Sequence, residues 1–324
     1  MSEIWRSVTL QLAKMLQINY NKEVKCNNCP RNCNIDRSAY AGFCGTSGIT
    51  ISRVGKHFWE EPCISGEKGS GTVFFAGCNL KCRFCQNYDI SLRPHGVEVS
   101  SRRLADLFLY LQDEGVANIN LVTPSHVILD VTRALTLAKP KLHVPVVYNT
   151  SSYEKVEYLH QLQGLVDVYL PDLKFASRGI SKALCGVENY FDVATQAIAE
   201  MAQQQPQNVF KNGYVTKGLI VRHLVLPSFV EDSKRILDWI AHFNKNTYVS
   251  LMSQYFPARK DDKFLQLNRK LYKHEYESVL QYFFNVGLKN GFMQDATSAT
   301  VDYLPDFFDN EVQTVLDNAP HVFG

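Results

Sequence analysis

The stretch GSGTVFFAGCNLKCRFCQNYDIS, Gly69 to Ser91, decides how this chain is read. Its apolar run Thr72–Gly77 predicts a buried β-strand, because a short continuous apolar segment bounded by glycines suits a strand covered on both faces. Directly after it come Cys78, Cys82 and Cys85, spaced Cys-x3-Cys-x2-Cys. A [4Fe–4S] cluster normally takes four thiolates. Three thiolates crowded into one loop would leave one iron open to a ligand that is not protein. A zinc ion held by these thiols and a fourth ligand is the alternative.

Working outward from that loop, short apolar runs alternate with amphipathic segments, the pattern of parallel strands joined by helices. Six strands are predicted, at Thr72–Gly77, Ile119–Thr123, Val144–Asn149, Val166–Pro171, Leu219–Leu226 and Tyr248–Met252. Leu104, Leu107, Phe108 and Leu111 share one helical face, with Ser100 or Ser101 placed to cap it. Further helices are expected near Ser125, near Ser152, around Asp192 and at Glu231–Asp232. Right-handed crossovers would assemble an α/β fold, a partial (β/α)6 TIM-like barrel, with active residues at the C-terminal strand ends. The expected organisation is a cysteine-rich N-terminal extension over residues 1–68, a barrel core over 69–257, and a helical C-terminal extension over 258–324 that packs on the barrel.

Composition narrows the function classes. Lys and Arg number 34 against 32 Asp and Glu, a formal charge of +2. Without a long basic run, there is no footprint for general nucleic-acid binding. The first twenty residues mix charge with apolar side chains and lack a signal-type core, and no apolar stretch suits a membrane span, so a cytoplasmic protein is expected. Eight of the nine cysteines fall between Cys26 and Cys85, which in a chain of this length reads as metal ligation. Cys26-x2-Cys29-Pro30-x2-Cys33-x10-Cys44 offers four soft ligands for a second site, either a closed tetrahedral zinc or an auxiliary iron–sulfur cluster. Cys63 and Cys185 have no suitably spaced partners and read as small buried residues.

The cluster loop, with Phe84 just before its last cysteine, resembles the radical S-adenosylmethionine (SAM) superfamily. Within it, residues from about Gly69 to Pro257 resemble the pyruvate formate-lyase-activating enzymes and their activator-like relatives. The resemblance implies a [4Fe–4S] cluster whose open iron chelates SAM, reductive cleavage to a 5′-deoxyadenosyl radical, and hydrogen abstraction from substrate. It also implies an electron donor such as flavodoxin or ferredoxin. The substrate would be a glycine of a protein partner, or alternatively a peptide or small metabolite. A non-catalytic iron–sulfur or zinc protein is the reading from outside the enzymes.

Several residues follow from the same resemblance as cofactor-binding candidates. Cys85-Gln86-Asn87 matches a Cys-x-Asn turn. Asp172-Leu173-Lys174 matches Asp-Leu-Lys at the fourth strand end, and Asn149-Thr150-Ser151 stands where activators carry Asp-Thr-Asn. Arg222 followed by Pro227 matches Arg-x4-Pro, although a strand-end arginine also commonly pairs with a neighbouring carboxylate. At the second strand the activators place Gly-Gly-Glu around the SAM amino group, whereas this chain runs from Asn120 through Thr123 to Ser125 and His126. Another acceptor must then serve that amino group, and Asn120 and Thr123 offer oxygens. Ser125 reads as a helix cap, and His126 as either a base or a packing residue. Glu60-Glu61-Pro62 and His57 resemble a stretch common in the activator-like relatives, which implies a functional role, while solvated charges are the other reading. Tyr276 and Tyr282 suit a packed helix, and Gly291–Asp295 with Tyr303-Leu304-Pro305 is expected to lie across the open side of the barrel.

Overall fold

The structure is a computed structural model that describes residues 25–294, 307 and 311–324. Its strands are β1 (Ile49–His57), β2 (Ser70–Phe75), β3 (Val97–Val99), β4 (Ile119–Val122), β5 (Val146–Thr150), β6 (Val168–Pro171), β7 (Val209–Lys211), β8 (Tyr214–Leu224), β9 (Tyr248–Met252) and β10 (Gly291–Met293). They form one sheet in the order β10-β9-β8-β6-β5-β4-β2-β1-β3, with β7 paired to β8. Every neighbour from β10 to β2 runs parallel. All six predicted strands fall in that parallel run, as β2, β4, β5, β6, β8 and β9.

Parallel strands need covering on both faces. Accordingly β2, β4, β5 and β6 are buried along their whole lengths. The helix Ser101–Asp113 forms where its apolar spacing predicts, and Ser100 Oγ accepts a hydrogen bond from Arg103 N at 3.1 Å. Leu104, Leu107, Phe108 and Leu111 are essentially solvent-free, and full burial of each such side chain stabilises by about 1.5–3 kcal/mol. Helices at Ile128–Ala138, Val156–Leu159, Tyr190–Gln204 and Val230–Phe243 supply the later crossovers.

The sequence reading is corrected at four places. Helix Arg178–Cys185 precedes the one at Tyr190 and ends on Gly186, whose φ of 69° is the left-handed cap conformation. Strand β8 starts at Tyr214, because Asn212 and Gly213 both take positive φ and turn a hairpin from β7. The C-terminal region is not helical throughout: Lys273–Asn285 is a helix, but Gly291–Met293 joins the sheet edge as β10. Ser125 is not a cap, since its Oγ donates to the buried Glu154 carboxylate. Tyr276 is buried in its helix and donates to Leu251 O, while Tyr282 donates to Asp238. Asp295 and Tyr303-Leu304-Pro305 lie outside the described residues.

Two antiparallel strands complete the other edge. β1 pairs with β2 on one side and β3 on the other, so residues N-terminal to the cluster loop are built into the sheet. Among the described residues, no helix is long and apolar enough to cross a membrane.

Candidate active site at the carboxyl edge of the sheet

Because β2, β4, β5, β6, β8 and β9 are parallel, their C-terminal ends face one side, and the chemistry-bearing residues follow those ends. Cys78 follows β2, Thr123 follows β4, Ser151 follows β5, Asp172 follows β6, and Arg222 lies near the end of β8. They surround a cavity of about 210 Å³ whose wall includes Cys78, Cys82, Cys85, Asp172, Lys174 and Arg222. Phe84, Asn87, Thr123 and Asn149 also line it. Asn120 does not. Its side chain is buried beneath the cavity, and its amide donates to Glu60 Oε1 at 3.0 Å.

The cluster loop is held from several directions. Gly77 has φ of 85°, and a Cβ there would lie 2.8 Å from the Cys44 carbonyl oxygen, so only glycine lets the leader approach the loop this closely. Arg31 donates to Asn79 O at 2.7 Å and to Cys185 O at 2.8 Å. Arg83 makes a two-pronged pair with Asp261 at 2.7 and 2.8 Å, tying the loop to the segment after β9. Phe84 packs edge-on against Phe175.

The thiols sit where a free thiolate is costly. Burial pushes the Cys85 thiol up to about 12, with Cys78 and Cys82 adding to the rise. Cys78 is raised mainly by burial, and Cys82 by its hydrogen bond with Cys185 and then by burial. Cys185 is thus buried, as expected, but lies against Cys82. Leu80 N donates to Cys78 Sγ at 3.4 Å, and Ser91 Oγ donates to Cys85 Sγ at 3.3 Å. A positively charged metal core reverses this cost, since a coordinating thiol is deprotonated outright.

Beside the thiols lies a charged network. Asp172 Oδ2 accepts from Lys174 Nζ at 2.6 Å, and Asp172 Oδ1 accepts from Arg222 Nε at 2.9 Å. Arg222 Nη2 reaches Asn149 Oδ1 at 2.7 Å, and Nη1 reaches Glu60 Oε2 at 3.0 Å. Burial raises the Asp172 carboxyl, but Arg222 and Lys174 outweigh it and hold it below the usual range. Burial likewise disfavours the Arg222 charge, yet Asp172, Glu61 and Glu60 more than compensate. The pairing expected of a strand-end arginine is therefore present, in the cavity wall itself.

Glu60, Glu61 and His57 are not solvated charges. The Glu60 side chain is only 9% exposed. Glu61 is buried, its carboxyl raised by burial despite Arg222 nearby. His57 is lowered to about 4 by burial and by Arg53. The local signal available was the apolar setting, Phe58-Trp59 before the acids and Cys63-Ile64 after them.

His126 is fully buried, and its Nε2 donates to Ala76 O at 2.8 Å. Burial and Arg37 lower it to about 3, so it is a neutral packed imidazole, and it does not line the cavity. Its folded-state pKa lies below the unfolded value near 6.5, so its contribution to stability is present above that value and lost as pH falls below it. Imidazole NMR signals of His126 are expected to show no protonation between pH 8 and about 5. A titration midpoint near 6.5 would contradict this burial.

In the leader, Cys26, Cys29 and Cys44 are buried. A Cβ on Gly42 would lie 3.5 Å from both Cys33 Sγ and Cys44 Sγ. Burial pushes the Cys29 thiol up to about 12. Among the described residues, no three histidine, cysteine or carboxylate side chains close on a single point. Cys63 is buried beside Glu61.

Comparison with known proteins settles the family. Residues 72–240 match the Radical SAM superfamily. The chain belongs to that superfamily. It is 31% identical over 266 residues to the uncharacterized protein MJ0674 of Methanocaldococcus jannaschii, covering 79% of this chain and 73% of that one. Among solved structures, methylornithine synthase (PylB) matches with TM-score 0.48 and 14% identity over 76% of this chain and 81% of its own. Streptococcus suis SuiB bound to S-adenosylmethionine matches with TM-score 0.43 and 15% identity over 70% of this chain. The chain spans about half of SuiB, 46% of its length. Radical SAM proteins use a [4Fe–4S] cluster and SAM. The residues present fit both groups: three thiols and no fourth line the cavity, next to two acidic and two basic side chains suited to a zwitterionic amino acid.

Proposed function

We propose that this chain is a radical SAM enzyme whose Cys78, Cys82 and Cys85 hold the cluster and whose network around Asp172 orients SAM. The observation that carries the reading is the convergence of those three thiols with Asp172, Lys174 and Arg222 on one cavity. When bound, the cluster and SAM supply reductive cleavage of the sulfonium and a 5′-deoxyadenosyl radical that takes hydrogen from a substrate carbon.

The chain's own residues bind, orient and exclude water. Lys174 and Arg222 present donors to a carboxylate, Arg222 through its planar fork. Asn149, Thr123 and Asn87 offer neutral polar groups. Asp172 is fixed by its backbone as well: Tyr190 Oη and Ser152 Oγ both donate to its carbonyl oxygen, at 2.9 and 2.7 Å. Phe75, Leu80, Phe84 and Val122 form an apolar part of the wall that limits water at the reacting centre.

In this reading the parts are a leader over residues 1–68, a core over 69–257 and a C-terminal extension over 258–324. Cys26, Cys29, Cys33 and Cys44 hold a second metal, zinc or iron–sulfur. The substrate is a glycine of a protein partner, as in glycyl-radical activation, and a donor of the flavodoxin or ferredoxin class delivers the electron.

After anaerobic reconstitution with iron and sulfide, a low-potential reductant and SAM are expected to yield 5′-deoxyadenosine and methionine. A protein carrying the full cluster absorption that leaves SAM intact would refute the enzyme reading.

A further inference from the structure

We propose that Glu60, a leader residue, accepts the amino group of SAM. The inference rests on the SAM reading above and deepens it by assigning an acceptor that the second strand does not supply.

The polar groups that the ends of β4 and β5 bring to the cavity are amides and hydroxyls, at Thr123, Asn149, Thr150 and Ser151. Among the described residues, the wall contains two carboxylates, Glu60 and Asp172. Asp172 is clasped by two cations, Lys174 and Arg222. Glu60 has one, since Oε2 takes Arg222 Nη1 at 3.0 Å, while Oε1 takes the neutral amides of Asn120 at 3.0 Å and Asn149 at 3.3 Å. A carboxylate offers about four lone-pair sites, so one remains. Glu60 is therefore the less compensated of the two anions, and its amide partners place it over β4 and β5, where the sequence supplies no acid.

Its position is fixed by the backbone around it. Ser65 Oγ donates to the carbonyl oxygens of Phe58 at 3.1 Å and Glu60 at 3.2 Å. Ile64 N donates to Glu61 O at 2.7 Å. With the side chain 9% exposed, a charge-assisted bond to an amino group would form away from bulk water, where such bonds are strongest.

The test uses the full-length, cluster-loaded protein and equilibrium binding of two ligands. SAM carries the amino-acid end, and 5′-methylthioadenosine lacks it. Glu60→Gln is expected to weaken SAM about tenfold to a hundredfold and to leave 5′-methylthioadenosine within about twofold, with iron content unchanged. If Glu60→Gln loses its fold or its iron, Glu60→Asp is measured with the same ligand pair, and the same selective weakening of SAM is expected. Equal weakening of both ligands would make Glu60 structural, and undiminished SAM binding would remove it from the site; either outcome overturns the proposal. Wild-type protein that binds 5′-methylthioadenosine but not SAM overturns the SAM reading itself, and this proposal with it.

Discussion

Single alanine substitutions at Cys78, Cys82 or Cys85 are expected to abolish 5′-deoxyadenosine formation and to remove most of the iron from the cavity. Each thiol is one of only three that line the cavity, so losing one leaves a cluster with two protein ligands where four is the usual number of thiolates. Cys185 is the nearest spare thiol, but its Sγ donates to Ser181 O at 3.0 Å within its own helix, and it does not line the cavity. A variant at any of the three positions with normal cluster absorption and full product yield would refute that ligand assignment. The triple alanine variant carries a second readout. Metal remaining after its reconstitution reports on Cys26, Cys29, Cys33 and Cys44 alone: one zinc supports a closed structural ion, and about four irons with sulfide support an auxiliary cluster. No metal would refute the leader site.

Arg222→Ala is expected to destabilise the fold by about 3–5 kcal/mol, the usual cost of removing one partner from a buried charged pair. Arg222 touches Asp172, Glu60 and Asn149 at once, and the charged side chains of Arg222, Asp172 and Glu60 are each at most 15% exposed. Arg222→Lys would not rescue it, because an ammonium lacks the planar fork that spans three acceptors. Urea denaturation of the metal-free proteins measures the loss, and a midpoint equal to wild type would show the network contributes nothing. The same network predicts an acid dependence. The Asp172 carboxyl is depressed in the folded state, so its stabilisation is present above the ordinary carboxylate pKa and lost as pH falls below it. In Arg222→Ala that loss should largely disappear.

What could be read from the sequence was local or periodic. The strands β2, β4, β5, β6, β8 and β9 announce themselves as apolar runs because both faces are covered, and Ser100 announces its helix because capping is settled within four residues. Asp172 and Lys174 were reached through the resemblance of Asp172-Leu173-Lys174 to the activators' Asp-Leu-Lys at a strand end. The place of Glu60 was not legible. Its partners are Asn120, Asn149 and Arg222, the last 162 positions away, and no periodicity links residues that far apart. A Glu-Glu-Pro segment reads as solvent-exposed unless the sheet that buries it is known. β10 was missed for a related reason: three residues carry too little pattern, and pairing with β9 alone makes them a strand. Helix Arg178–Cys185 was missed because its 8 residues hold few repeats of the helical period beside the 15-residue helix Tyr190–Gln204.

The place of β1 between β2 and β3 sets a limit on how this protein can be cut. A truncation beginning at Gly69 would keep the whole cluster loop and all the strand ends, and would look like a minimal catalytic fragment. It would also strip β2 of its antiparallel neighbour, leave β3 with nothing to pair to, and present an unprotected apolar edge of the kind that recruits other chains into intermolecular sheets. Such a fragment is expected to be recovered as aggregate.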